Sequence, residues 1–173
     1  GMEDVVHSAF GSAGQRCSAL RVLYVQDDVA DGIIELLKGA IAELKVCDPV
    51  DLSADIGYII DEGAKETLDN HIAYIEQHGK LIAKAELGKN SPDNGRMFAP
   101  AAYEIDDVSV LKEEVFGPVL SIMKFDTEKQ ALQKIYHAAS RAKRSKIRSF
   151  LTVVRSLDGV LGFPTSLGER AGL

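Results

Sequence analysis

Leu20-Arg21-Val22-Leu23-Tyr24-Val25-Gln26-Asp27-Asp28 is the stretch on which the fold turns. The apolar, partly β-branched run from Leu20 to Val25 predicts a short strand, and an aspartate of the following Gln26-Asp27-Asp28 predicts the cap of a helix. Val29, Ile33, Leu36, Leu37, Ile41 and Leu44 then recur at helical spacing, so residues 28–46 read as an amphipathic helix that Asp48-Pro49 stops. After a loop through Ser53 and Gly57, Asp61 or Glu62 opens a second helix with Ala64, Leu68, Ile72 and Ile75 on one face, and Gly79 reads as its C-terminal cap. Residues 80–87, 97–105 and 119–125 are further strand candidates, 88–95 is a turn-rich loop, and residues 127 to about 142 read as helix. Helices separating apolar strands predict an α/β fold with an open twisted sheet and flanking helices.

The 173 residues are enough for about one domain, and 46% apolar residues supply ordinary core material. Twenty basic and 26 acidic residues give a net charge of -6, which argues against nucleic-acid or anionic-membrane binding by the whole surface. The charge is unevenly spread. Residues 141–173 hold 7 basic and 2 acidic residues, which leaves 13 basic and 24 acidic for residues 1–140. Cys17 and Cys47 lie 30 positions apart without CxxC pairing, so neither a disulfide framework nor a zinc ribbon is encoded, and a reducing cytoplasm is expected. No apolar run reaches the length of a membrane span, and Gly1 before Met2 reads as the scar of a removed tag. His7, His71, His78 and His137 make no metal-ligand pattern; His71 and His78 read as surface histidines, and no metal is expected.

Phe10-Gly11-Ser12-Ala13-Gly14-Gln15-Arg16-Cys17-Ser18-Ala19 carries chemical information. Small residues and two glycines let the backbone turn closely around a thiol placed just before a strand, where backbone N–H groups can face a substrate oxygen. Such surroundings favour a thiolate and suit a nucleophilic cysteine. Taken by spacing alone, a lone cysteine is more often a small buried hydrophobe.

Gly14-Gln15-Arg16-Cys17-Ser18-Ala19 resembles the active-site cysteine signature of the aldehyde dehydrogenase superfamily, and Glu113-Glu114-Val115-Phe116-Gly117-Pro118-Val119 resembles its second hallmark. Asp55-Ile56-Gly57-Tyr58-Ile59-Ile60 sits where that family has a Gly-Pro element, with Tyr58 in the place of the proline. Met97-Phe98-Ala99-Pro100-Ala101 matches the strand before the second hallmark. Ser8-Ala9-Phe10, the run from Ser12 to Leu23 and Gln26-Asp27-Asp28-Val29-Ala30-Asp31 are most similar to the 1-pyrroline-5-carboxylate dehydrogenase domain of bacterial proline utilization A. The resemblance covers about residues 5 to 137. It implies a fragment of an aldehyde dehydrogenase catalytic domain that takes an aldehyde substrate and uses NAD or NADP. Cys17 is then the nucleophile that forms a thiohemiacetal and a thioester, and its backbone N–H one half of the oxyanion site. Ser18 lies near the substrate, Glu114 binds the nicotinamide ribose, and Phe116 packs near the nicotinamide. Without the resemblance, Glu114 and Phe116 read as an exposed acid and a core aromatic beside a Gly-Pro turn.

Sixteen residues precede Cys17. The family's dinucleotide-binding half, its oxyanion-hole asparagine and the glutamate that activates the deacylating water all come before the cysteine, so the isolated chain is expected to be inactive and not to bind the cofactor. Residues 138–173 leave the family pattern where the charge flips. A nucleic-acid patch in this basic tail is disfavoured, because it lacks interleaved aromatics beyond Phe150 and the rest of the chain is acidic; the tail reads as an amphipathic helix with Ile147, Phe150, Leu151 and Val154 in one stripe, or as the remnant of a frame-shifted or truncated gene, the favoured origin. The division is therefore 1–137, partial catalytic domain, and 138–173, divergent tail. From another class, the alternative is a non-catalytic binding or assembly module, a homo-oligomer that buries the face left by the absent cofactor half.

Overall fold

The computed structural model describes residues 1–88, 95–127 and 130. The helix expected over 127–142, apart from residues 127 and 130, the divergent tail and most of the loop at 88–95 lie outside them. Among the described residues three α-helices, α1 (Met2–Phe10), α2 (Asp27–Ala42) and α3 (Glu62–Ile75), accompany four strands, β1 (Val22–Gln26), β2 (Gly79–Lys84), β3 (Ala101–Ile105) and β4 (Val119–Phe125). They form an open mixed sheet in the order β1-β4-β3-β2, as the α/β reading expects.

The parallel pairings β1 with β4 and β4 with β3 leave β2 as an antiparallel edge. Val22 stands opposite Ser121, and Tyr103 stands opposite Ser121 from the other side. β4 is central and reads as a near-continuous apolar run, with Leu120, Ile122 and Met123 fully buried, as a strand covered on both faces requires. α2 lies on the sheet and touches β1, β2, β4 and α1. Its buried stripe is Ala30, Ile34, Leu37 and Ile41, each side chain contributing in proportion to the apolar area it hides.

Several boundaries differ from the sequence reading. α2 ends at Ala42, before Asp48-Pro49, and Leu36 of the expected apolar stripe points outward at 58% exposure. Its N-cap is Gln26, so Asp27 and Asp28 sit in the first turn, where their charges favour the positive end of the helix. α3 ends at Ile75. Gly79 is no cap: it begins β2, and a Cβ there would come within 2.8 Å of the Glu104 carbonyl oxygen, so close strand approach demands glycine. β3 starts only at Ala101; Met97 instead makes an isolated bridge with Tyr58. α1 follows no signal read in the sequence.

Candidate functional site

Three parallel strands begin at one end of the sheet, so the segments that precede them gather there. Cys17 is five residues before Val22 of β1, and Phe116 is five residues before Ser121 of β4, and Val22 pairs with Ser121. Both sequence motifs therefore arrive at the same edge by register alone. The segment before β3 joins them, since Ala101 donates its N–H to the Pro118 carbonyl at 3.0 Å.

The cysteine turn is built by an unusual backbone. Ser12 (φ 54°), Ala13 (φ 53°) and Gly14 (φ 63°) are consecutive left-handed residues, a conformation that costs L-residues of the order of 1 kcal/mol each. Only glycine serves at position 14: a Cβ there would lie 2.2 Å from the Gly117 carbonyl oxygen. The two motifs thus meet backbone to backbone. The turn closes with Ala19 donating to the Arg16 carbonyl at 3.1 Å, and it leaves Cys17 and Ser18 exposed. Exposure excludes the buried-hydrophobe reading of Cys17. Cys47 is half-buried elsewhere, with its N–H donated to Ile56.

Two residues to which the sequence reading gave no role of their own hold the turn in place. Gln15 donates Nε2 to the Tyr58 carbonyl at 3.2 Å, and its Oε1 accepts the Ile60 N–H at 2.8 Å, which fastens the 58–60 segment to the cysteine turn. Arg96 adds to this by stacking its guanidinium 5.2 Å from the Tyr58 ring centre. Arg21 donates Nη2 to the Arg16 carbonyl at 3.3 Å and Nη1 to the Gly117 carbonyl at 3.1 Å. Its Nε lies 3.9 Å from a Glu114 carboxylate oxygen, and its guanidinium carbon is 5.2 Å from the centre of the Phe116 ring. Burial lowers the Arg21 pKa from its ordinary value, and the Glu114 charge opposes that shift. The sequence signal for Arg21 was available: a cation at the head of an apolar strand, four residues after the thiol.

Glu114 and Phe116 are exposed on this same end, Phe116 at 45%. Phe116 is therefore no core aromatic. Beside them lies a cleft of about 360 Å³ bordered by Arg21, His71, Glu113, Glu114 and Ser121. A larger concavity of about 730 Å³ runs along α1 and contains none of the four residues singled out from the sequence. His71 is half-buried on α3 rather than free on the surface, and burial lowers its pKa. His78 is exposed and stacks on Tyr74. Among the described residues no three His, Cys, Asp or Glu side chains gather as metal ligands, and no helix is long and apolar enough to cross a membrane.

The family model of the aldehyde dehydrogenase family matches residues 1–138. The chain belongs to the aldehyde dehydrogenase family. Among curated relatives, the bifunctional protein PutA of Escherichia coli is 44% identical over 128 residues, which is 71% of this chain and 10% of that protein. Malonate-semialdehyde dehydrogenase 2 of Geobacillus kaustophilus is 30% identical over 135 residues, 76% of this chain and 28% of that one. A crystal structure of Bradyrhizobium japonicum proline utilization A superposes with a TM-score of 0.71 at 41% identity, covering 79% of this chain and 14% of that one. An NAD-complexed methylmalonate-semialdehyde dehydrogenase structure from Sinorhizobium meliloti gives 0.68 at 27% identity, over 76% of this chain and 28% of its own. This aldehyde dehydrogenase chain spans about a tenth of the length of the PutA relatives it matches.

Proposed function

We propose that this chain carries the cysteine and the nicotinamide-side contacts of an NAD- or NADP-dependent aldehyde dehydrogenase of proline catabolism, which oxidises glutamate semialdehyde to glutamate in the cytoplasm. The meeting of the two motifs across Gly14 and Gly117 supports this reading most, because it sets an exposed thiol and an exposed carboxylate and ring at one end of the sheet. PutA-like relatives support the substrate class.

In this reading the Cys17 thiolate attacks the aldehyde carbon. A C–S bond forms, and the carbonyl electron pair moves onto oxygen, where the Cys17 backbone N–H meets the new charge. The residues at this end fit the nicotinamide half of a dinucleotide: the exposed Glu114 carboxylate could accept hydrogen bonds from ribose hydroxyls, and the exposed Phe116 ring could pack against a flat ring. When bound, NAD or NADP supplies the hydride acceptor that turns the adduct into a thioester. Ser18, exposed beside the thiol, contacts the substrate. Release of the acid consumes water, breaks the C–S bond and returns the Cys17 thiolate. None of the residues brought together here is assigned the role of base for that water, and residues 1–173 alone are proposed to be inactive.

Alkylation of both thiols, followed by mass spectrometry, tests the assignment. Cys17 is expected to react about tenfold faster than Cys47 at neutral pH, and glutamate semialdehyde is expected to protect Cys17 alone. Equal rates without selective protection would remove Cys17 as the nucleophile.

A further inference from the structure

We propose that Arg21 is a positioning residue that aims the Cys17 backbone N–H and locks the cysteine turn to the Glu114–Gly117 segment. The inference rests on the reading of Cys17 given above. The carbonyl that Nη2 grips belongs to Arg16, and this C=O shares one planar trans peptide unit with the N–H of Cys17. Holding the oxygen from one side therefore fixes the direction in which the Cys17 N–H points on the other. That oxygen also accepts the Ala19 N–H, so both of its lone pairs are engaged and the peptide plane has little freedom to rotate. A carbonyl bonded to a cation also polarises its peptide, which strengthens the N–H as a donor.

The second arm reaches the other motif. Nη1 holds the Gly117 carbonyl, and the remaining face of the guanidinium meets Glu114 and the Phe116 ring. The base of the side chain is itself fixed, because the Arg21 carbonyl accepts the Ser121 N–H of β4 at 2.9 Å. Nε is buried, meets no hydrogen-bond partner among the described residues and faces Glu114. This is a rigid fork used at each tip. A lysine there keeps the charge and the apolar stem but offers one compact ammonium, which cannot span both carbonyls in the same way.

Arg21→Met and Arg21→Lys in the full chain test the proposal by amide hydrogen exchange and by the NMR resonance of the Cys17 amide. In Arg21→Met, exchange is expected to quicken about tenfold or more in residues 15–19 and in 114–117, relative to α2 in the same sample, as befits lost hydrogen bonds to a charged group. Arg21→Lys is expected to regain part of the melting midpoint lost in Arg21→Met without regaining the wild-type Cys17 amide resonance. Unchanged exchange at residues 15–19 in Arg21→Met overturns the proposal, and so does full recovery of both segments by Arg21→Lys. If Arg21→Met does not fold, the lysine variant decides alone by whether the Cys17 resonance moves. Wild-type thiol rates judge the nucleophile separately: Cys17 no faster than Cys47 removes that reading, while the exchange data still decide whether Arg21 aims the peptide.

Discussion

Gly14 is the residue on which the two motifs meet, and its requirement has two parts. Its φ of 63° disfavours any side chain, and the Gly117 backbone fills the place of a Cβ. Gly14→Ala is therefore expected to destabilise the chain by about 2–4 kcal/mol, because a left-handed alanine and a backbone clash add. Urea unfolding measures it, and a change below about 1 kcal/mol would mean that the turn relaxes away from Gly117. Position 117 differs in kind. A Cβ there would meet the side chain of the buried Leu68 rather than backbone. The small residues around Cys17 were visible as a close-turn signal in the sequence; that the close partner is Gly117 was not, because nothing local encodes a contact with a segment a hundred residues on.

At the scale of elements, helix starts and apolar stripes were more legible than helix ends. Asp61 precedes Glu62 as an N-cap should, and its carboxylate accepts the Ala64 N–H at 2.7 Å. Asp61→Ala is expected to cost about 1 kcal/mol, read as a lower midpoint in urea, with Asp61→Asn losing a smaller part. A loss confined to a few tenths would show that packing of Leu68 and Ile75 alone sets the helix start. The ends were misplaced for a physical reason. Gly79 has the composition of a cap, yet α3 has already closed at Ile75, and the glycine is needed because Glu104 of the neighbouring strand approaches it. Leu36 likewise fits the helical period but lies at the margin of the stripe, and which margin faces the sheet depends on how α2 is rotated against it.

For the whole molecule, two tyrosines tie stability to alkaline pH. Burial, and then the charge of Asp107, pushes Tyr24 up to about 12. Burial, and then Glu76, which accepts the Tyr103 hydroxyl at 3.3 Å, pushes Tyr103 up to about 12. An unfolded tyrosine loses its proton near pH 10, so above that pH the unfolded chain releases protons that the folded chain keeps. Stability is thus fully present below about pH 10 and falls as the pH rises toward 12. A urea midpoint that stays level from pH 9 to 11 would contradict this, and Tyr103→Phe is expected to flatten part of the decline.

The sequence by itself determined the class of fold and the identity of the chemistry-bearing motifs. Strand-then-helix order is written in local periodicity, and the two motifs mark the family, whereas the reactivity of a thiol depends on the surroundings in which the fold places it. Tertiary structure alone decided which residues meet. Parallel pairing of β1 with β4 brings residue 17 and residue 116 to one edge, and it gives Arg21 two carbonyls to hold that lie far apart along the chain. It also decided that Phe116 is open and that His71 is half-buried, since exposure depends on what packs nearby and not on residue type. The charge break near residue 140 remains a property of the sequence, outside the described residues. Register is the physical reason for the difference: a strand's composition is local, whereas its partner and offset are chosen by the whole core at once.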